Sequence, residues 1–278
     1  MSYPRRVSQD ALPATPVRLP RIRTGTTSPA PAAAVARPLR AMPLTRRYES
    51  MWLTPEGEID SSTRIAPATP LFEEAFSGLA RGSVLTAETG PVAIEDVVPG
   101  MRLLTAEGVF EQVTWVGSLV QYPATGGGPG SQDISEAPVG LTRITAEAFG
   151  AGRPMADLVL GPRARICLRD ARLKRATGLD AAFVPARAFI DGVSVIEVSP
   201  VAPVTLYHLV LKRQSALKVM GLEFESYHPG DGAAEMIDPR MLLLFEALFP
   251  QMVSLAGFGR MRHPRLTRFE VEDMLGAF

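Results

Sequence analysis

Cysteine, histidine and lysine are scarce in this 278-residue chain. Cys167 is the only cysteine, so neither an intrachain disulfide nor a multi-thiolate metal site can form. His208, His228 and His263 are the only histidines, and no two stand at helical ligand spacing, which argues against a structural zinc site. Only Lys174, Lys212 and Lys218 are lysines among 29 basic residues, and 29 acidic residues balance them. Bulk charge therefore points to neither a nucleic acid nor a membrane. Long apolar runs are missing as well. The most apolar stretch, 241–245, is followed by Glu246 and Pro250, far short of the roughly 18–20 residues of a membrane span. Residues 1–10 are basic but lead into no apolar segment, so no Sec-type signal is read. A cytoplasmic location is expected, with secretion by another route left open. Nothing in the composition implies a cofactor or a bound metal.

What is present is uneven. Residues 1–50 carry nine arginines against Asp10 and Glu49, and prolines recur at 4, 13, 16, 20, 29, 31, 38 and 43. Such a segment buries too little apolar surface to offset its ordering entropy, so 1–70 is expected to be a disordered Pro/Arg-rich tail. Residues 71–76 can make one helical turn. Beyond them, short β-like runs at 83–86, 101–105, 110–116, 164–168, 193–198 and 204–211 are separated by turn signals such as Pro99-Gly100 and Asp191-Gly192. Strands so closely spaced, without amphipathic helices between them, predict an all-β unit over 71–229.

Residues 123–138 are rich in Gly, Pro and Ser. Gly126-Gly-Gly-Pro-Gly130 lacks the strand-to-helix setting of a phosphate cradle and reads as a flexible excursion. Residues 230–278 change character again. Asp238 and Pro239 open a helical pattern over 237–249, expected to be largely buried, and 266–275 form an amphipathic pattern. Both helices are expected to pack on the β unit. Arg163, Arg165, Arg169, Arg172, Lys174 and Arg175 lie close together with only Asp170 opposing them in sequence. They read as a solvated loop face or as a site for an anionic partner. No aromatic stacking pattern accompanies them, so specific nucleic-acid binding is not expected.

Several ordered blocks carry a resemblance. Ile94-Glu95-Asp96-Val97, Gly100, Leu103-Leu104-Thr105 and Gly108 keep the spacing of a "V-E-D-L-x-x-G-D-x-V-L-T-x-D-G" opening, and Trp115-Val116-Gly117 follows as its "R-W-V-G" strand. The runs 158–166, 184–192, 207–211 and 221–227 are similar to "L-L-L-S-P-D-H-A-L", "V-P-A-R-A-L-V-N-G", "Y-H-V-E-L" and "G-L-P-A-E-S-Y". Together they resemble the bacterial Hint (Hedgehog/intein) domain family over about 150 residues. The resemblance implies a curved all-β fold with two pseudo-symmetric halves. It also implies autoprocessing, in which a Cys or Ser at the first residue attacks the preceding carbonyl and a second-block His serves the departing nitrogen.

Those polar groups are absent here. The nucleophile position falls on Gly78, the second-block Asp-His pair on Arg163-Ala164, a later His-Asp on Gln214-Ser215, and an acidic position of the opening block on Met101. The expectation is a processing-incompetent scaffold, retained as a binding or accessory module with an unknown protein partner. An active self-cleaving protein using Ser77, one residue upstream, is the alternative, and an unrelated all-β binding domain is a third. Cys167 reads as a buried small hydrophobe or a displaced nucleophile, and His208 as a structural histidine or a catalytic remnant. Gly78→Cys together with Ala164→His is expected to revive cleavage after Ser77.

Overall fold

Strand formation begins earlier in the chain than the proline pattern suggests. In the computed structural model, which describes residues 44–123 and 140–276, β1 (Thr45–Leu53) and β2 (Ile59–Pro67) form an antiparallel hairpin in unbroken register. Residues 44–54 contain no proline, and alternate positions Tyr48, Ser50 and Trp52 are buried. This corrects the expected tail: 45–67 belongs to the folded unit because period-2 burial of two large aromatics outweighs the surrounding proline-rich composition. The rest of the expected tail, residues 1–43, lies outside the described residues, as does most of the glycine-rich excursion (124–139).

After α1 (Pro70–Glu74) come β3 (Leu79–Ala80), β4 (Val84–Ala87), β5 (Gly90–Ala93), β6 (Arg102–Leu104) and β7 (Phe110–Gln121). They are followed by β8 (Leu141–Ile144), β9 (Leu158–Leu160), β10 (Arg165–Leu168), α2 (Ala171–Thr177), β11 (Ala182–Pro185) and β12 (Val195–Val198). β13 (Val204–Leu211), β14 (Ala216–Val219) and β15 (Leu222–Glu225) complete the strands. The sheet path is β11-β10-β15-β14-β4-β6-β7-β13-β3-β9-β8-β12, with β1 on β7, β2 on β1 and β5 on β4. Every strand pair is antiparallel, as expected for an all-β unit.

β7 organises this path. Its first residues pair with β6, while Trp115–Leu119 lies between β1 and β13. All six β-like runs of the sequence contain a strand. β3, β5, β8, β9, β11, β14 and β15 were not read as strands; each has only two to four residues.

Two cores result. One is aliphatic, with Leu79, Leu85, Ile94, Leu103, Leu160, Val184 and Leu217 at its centre. The other is aromatic and joins both ends of the described chain: Tyr48, Phe72 and Phe76 pack with Trp115, Phe245, Phe249 and Phe258. The last two helices beyond α3 (Ala233–Met236) are α4 (Pro239–Glu246) and α5 (Arg268–Gly276). Asp238 caps α4 by accepting from Arg240 N at 2.9 Å, with Pro239 in the first turn. The expectation that 237–249 is largely buried needs correction. Phe245, Leu248 and Phe249 are buried, but Leu243 is 72% exposed and Leu244 48%. The helix is one turn shorter than its apolar pattern and buries one side only. No helix among the described residues is long and apolar enough to cross a membrane.

Candidate functional site

The turn after α1 carries Ser77 and Gly78 into the space between β13 and the turn after β9. Gly78 donates its N–H to Tyr207 O at 3.1 Å, and its carbonyl accepts from Gly161 N at 2.7 Å. Gly161 has no side chain because a Cβ there would fall on the Ser77 carbonyl. The same turn runs through Arg163 to buried Ala164, whose N–H reaches Gly161 O at 3.1 Å. The structure therefore brings together the segments of Gly78 and Ala164, as the resemblance implies. Neither residue carries a reactive group.

The space at Gly78 is filled. A Cβ would meet Tyr207 O at 2.7 Å, His208 Cδ2 at 2.9 Å and the Phe224 ring at 2.9 Å. All three are closer than real Cβ contacts, and one is a backbone atom of β13, which cannot swing aside. Ser77 is buried, and no hydrogen bond among the described residues joins its Oγ to a histidine or carboxylate. Preceding it, the Phe76 ring is held 4.7 Å from Tyr48 and 5.1 Å from Trp115.

His208 lies between these groups and is buried. Its Nδ1 is 2.9 Å from Glu74 O and its Nε2 is 3.3 Å from Glu225 O. Burial, opposed only partly by these carbonyls, pushes its pKa down to about 4. The ring is thus neutral with a single N–H, which the shorter contact to Glu74 O takes. The ring thereby ties β13 to the chain three residues before Ser77.

A buried ionic cluster adjoins it. Arg165 pairs with Glu74 and lies 3.9 Å from Glu225, while Arg265 Nε donates to Glu225 at 3.0 Å. Gln214 donates to Glu225 at 2.9 Å and accepts from Arg262 N at 2.6 Å. Burial would raise the Glu74 pKa, but Arg165 and Arg265 together hold it below the usual carboxylate value. For the deeper Glu225 burial prevails, and its pKa is raised. Sequence reading missed this cluster. Its members lie on four separated segments, and no periodicity marks a charge whose partner is remote.

Part of the basic run 163–175 is paired in the same way. Besides Arg165, Arg169 binds Glu223 at 2.8 Å and Glu107 at 3.3 Å, Arg172 binds Asp170 at 2.8 Å, and Lys174 binds Asp180 at 2.7 Å. Carboxylates from other strands and loops thus pair Arg165 and Arg169, while Lys174 and Arg175 on α2 remain solvent-exposed. Cys167 is buried with Ala181, Phe183 and Ala216, and burial pushes its thiol up to about 12. It is a small core hydrophobe. Among the described residues, no group of three or more His, Cys, Asp and Glu side chains could hold a metal ion.

Fold and junction together define an all-β domain closed around its own N-terminal peptide segment. A family model for the Hint domain matches residues 77–231, more than half of the chain, and the chain belongs to that family. Solved structures similar to it include the MchDnaB-1 intein, 13% identical, which covers 54% of this chain and 99% of that one with a TM-score of 0.33. Another is a bacterial intein-like domain from Clostridium thermocellum, 12% identical, covering 55% of this chain and 99% of that one, TM-score 0.35. No curated protein matches the chain.

Proposed function

We propose that this Hint domain does not cleave its own backbone and serves as a binding or accessory scaffold. The observation that carries the reading is the packing at Gly78: the nucleophile slot holds no side chain and has no room for one. Acyl transfer to a domain's first residue needs a side-chain nucleophile and a proton donor for the leaving amide. Ala164 supplies no donor. Gln214, in place of a histidine, is engaged with Glu225 and the Arg262 amide. Met101 is likewise without an acid–base group. An apolar framework maintained without its chemistry supports retention for its surface.

Self-cleavage by Ser77 is the competing reading. Ser77 Oγ would attack the Phe76 carbonyl, yet His208, the nearby imidazole, already gives its N–H to Glu74 O. Intact-mass analysis of purified wild type and Ser77→Ala, incubated with a thiol and separately with hydroxylamine, distinguishes the two. The scaffold reading expects one full-length species in every sample. Fragments divided between Phe76 and Ser77 in wild type, absent in Ser77→Ala, would establish the self-cleaving enzyme instead.

A further inference from the structure

β2 pairs with β1 and with no other described strand, and it is nine residues long without a bulge. Proteins usually blunt such an edge with lysine, proline or irregular twist. Here β2 contains no lysine, and its one proline, Pro67, stands at the last position of the strand, beyond the run Ile59-Asp-Ser-Ser-Thr-Arg-Ile-Ala66. The hydrogen-bonding phase of the hairpin is fixed at both ends by Thr54 N to Glu58 O and by Ala68 N to Leu44 O, each 2.8 Å. Even-numbered residues of β2 therefore bond to β1, and the N–H and C=O groups of Ile59, Ser61, Thr63 and Ile65 point outward. One of these donors, Ser61 N, is covered only by its neighbour's carboxylate, Asp60 Oδ1, at 2.7 Å. Ile65 is 76% exposed and Ile59 49%.

We infer that β2 pairs antiparallel with β2 of a second copy of this chain, about a two-fold axis at Ser62. In that register Ser61 faces Thr63 of the second copy and Ile59 faces its Ile65, all residues whose backbone groups point outward, so every bond of the new ladder can form. Asp60 faces Arg64 of the second copy, and the symmetry makes this pair twice. Arg64 has no ion pair with a described residue. Asp60 and Arg64 occupy non-hydrogen-bonded positions, where cross-strand side chains approach most closely. The exposed isoleucines are covered by each other. The strand is self-complementary in charge, in apolar character and in hydrogen-bonding phase, which an isologous interface requires.

The test is the solution mass of the full chain, by sedimentation or light scattering, over concentrations up to on the order of 1 mM, since a pair of short strands makes a small interface. Wild type is expected to pass from monomer to dimer. Thr63→Pro removes an outward N–H without touching a β1 bond, so it should stay monomeric with unchanged circular dichroism. Asp60→Arg and Arg64→Asp should each weaken self-association by about tenfold or more, and an equimolar mixture of the two should recover a heterodimer. A wild type that stays monomeric at every concentration, as it would if residues 1–43 covered the edge, overturns the inference. So does a dimer that survives Thr63→Pro, or a charge-swapped mixture that fails to associate. Should Thr63→Pro misfold, the charge-swapped pair decides alone.

Discussion

Arg265 Nη1 lies 3.7 Å from Glu74 Oε1, so a residue that follows the Hint domain is tied to one that precedes it. Arg165 and Glu225, from within the domain, complete the cluster. Segments that autoprocessing would separate are thus built into a single structure, both through this cluster and through the aromatic core.

Removing Arg265 should be strongly destabilising. Arg265→Met leaves Glu225, 3% exposed, without its closest cation. Breaking a buried pair from one side typically costs about 3–5 kcal/mol. Urea unfolding should show a loss of that order, and Glu225→Gln in the same background should return part of it. A change below about 1 kcal/mol would mean the cluster is solvated enough to tolerate an unpaired charge.

Gly78→Ala should lower stability although it adds only a methyl group. Its Cβ meets three atoms within 2.9 Å, and overpacking of this kind costs about 1–3 kcal/mol. A melting temperature equal to wild type would show that β13 and Phe224 yield. The same crowding alters what Gly78→Cys with Ala164→His should do: the pair, expected from sequence to revive cleavage, should remain intact by mass after incubation with thiol.

Acid should weaken the fold through His208. A histidine whose folded pKa is depressed contributes stability that is full above its unfolded pKa and lost as pH falls. With the folded value at about 4 against 6.5, the loss between pH 6.5 and 4 is about 3 kcal/mol. His228 and His263, also lowered chiefly by burial, act in the same direction. Denaturant titrations at pH 7 and pH 5 should show it, with a shallower pH slope for His208→Gln. An unchanged slope would mean His208 is protonated in the folded state.

Cys167 should react slowly. Raising its thiol pKa from 9.0 to about 12 lowers the thiolate fraction about 10³-fold, and burial adds a barrier to access. Labelling should be slow in the native protein and fast in urea. Rapid native labelling would return Cys167 to consideration as a nucleophile.

The order of blocks from Ile94 to Tyr227, the all-β class, the Asp238 cap and the absence of a nucleophile or acid–base side chain at Gly78 and Ala164 were all legible in the sequence. Each depends on residue identity at short range: glycine has no side chain in any fold, and a capping aspartate acts on its own next turn. The tertiary structure alone decided the rest. Tyr48 and Trp52 enter a hairpin because β7 is there to receive them, against the proline-rich composition around them. Arg165 and Arg169 of the basic run are paired because strands and loops remote in sequence deliver Glu74, Glu107, Glu223 and Glu225 to them. Whether a charge is free, or a glycine has space beside it, depends on what the rest of the chain brings within a few ångströms, and local pattern carries no record of that.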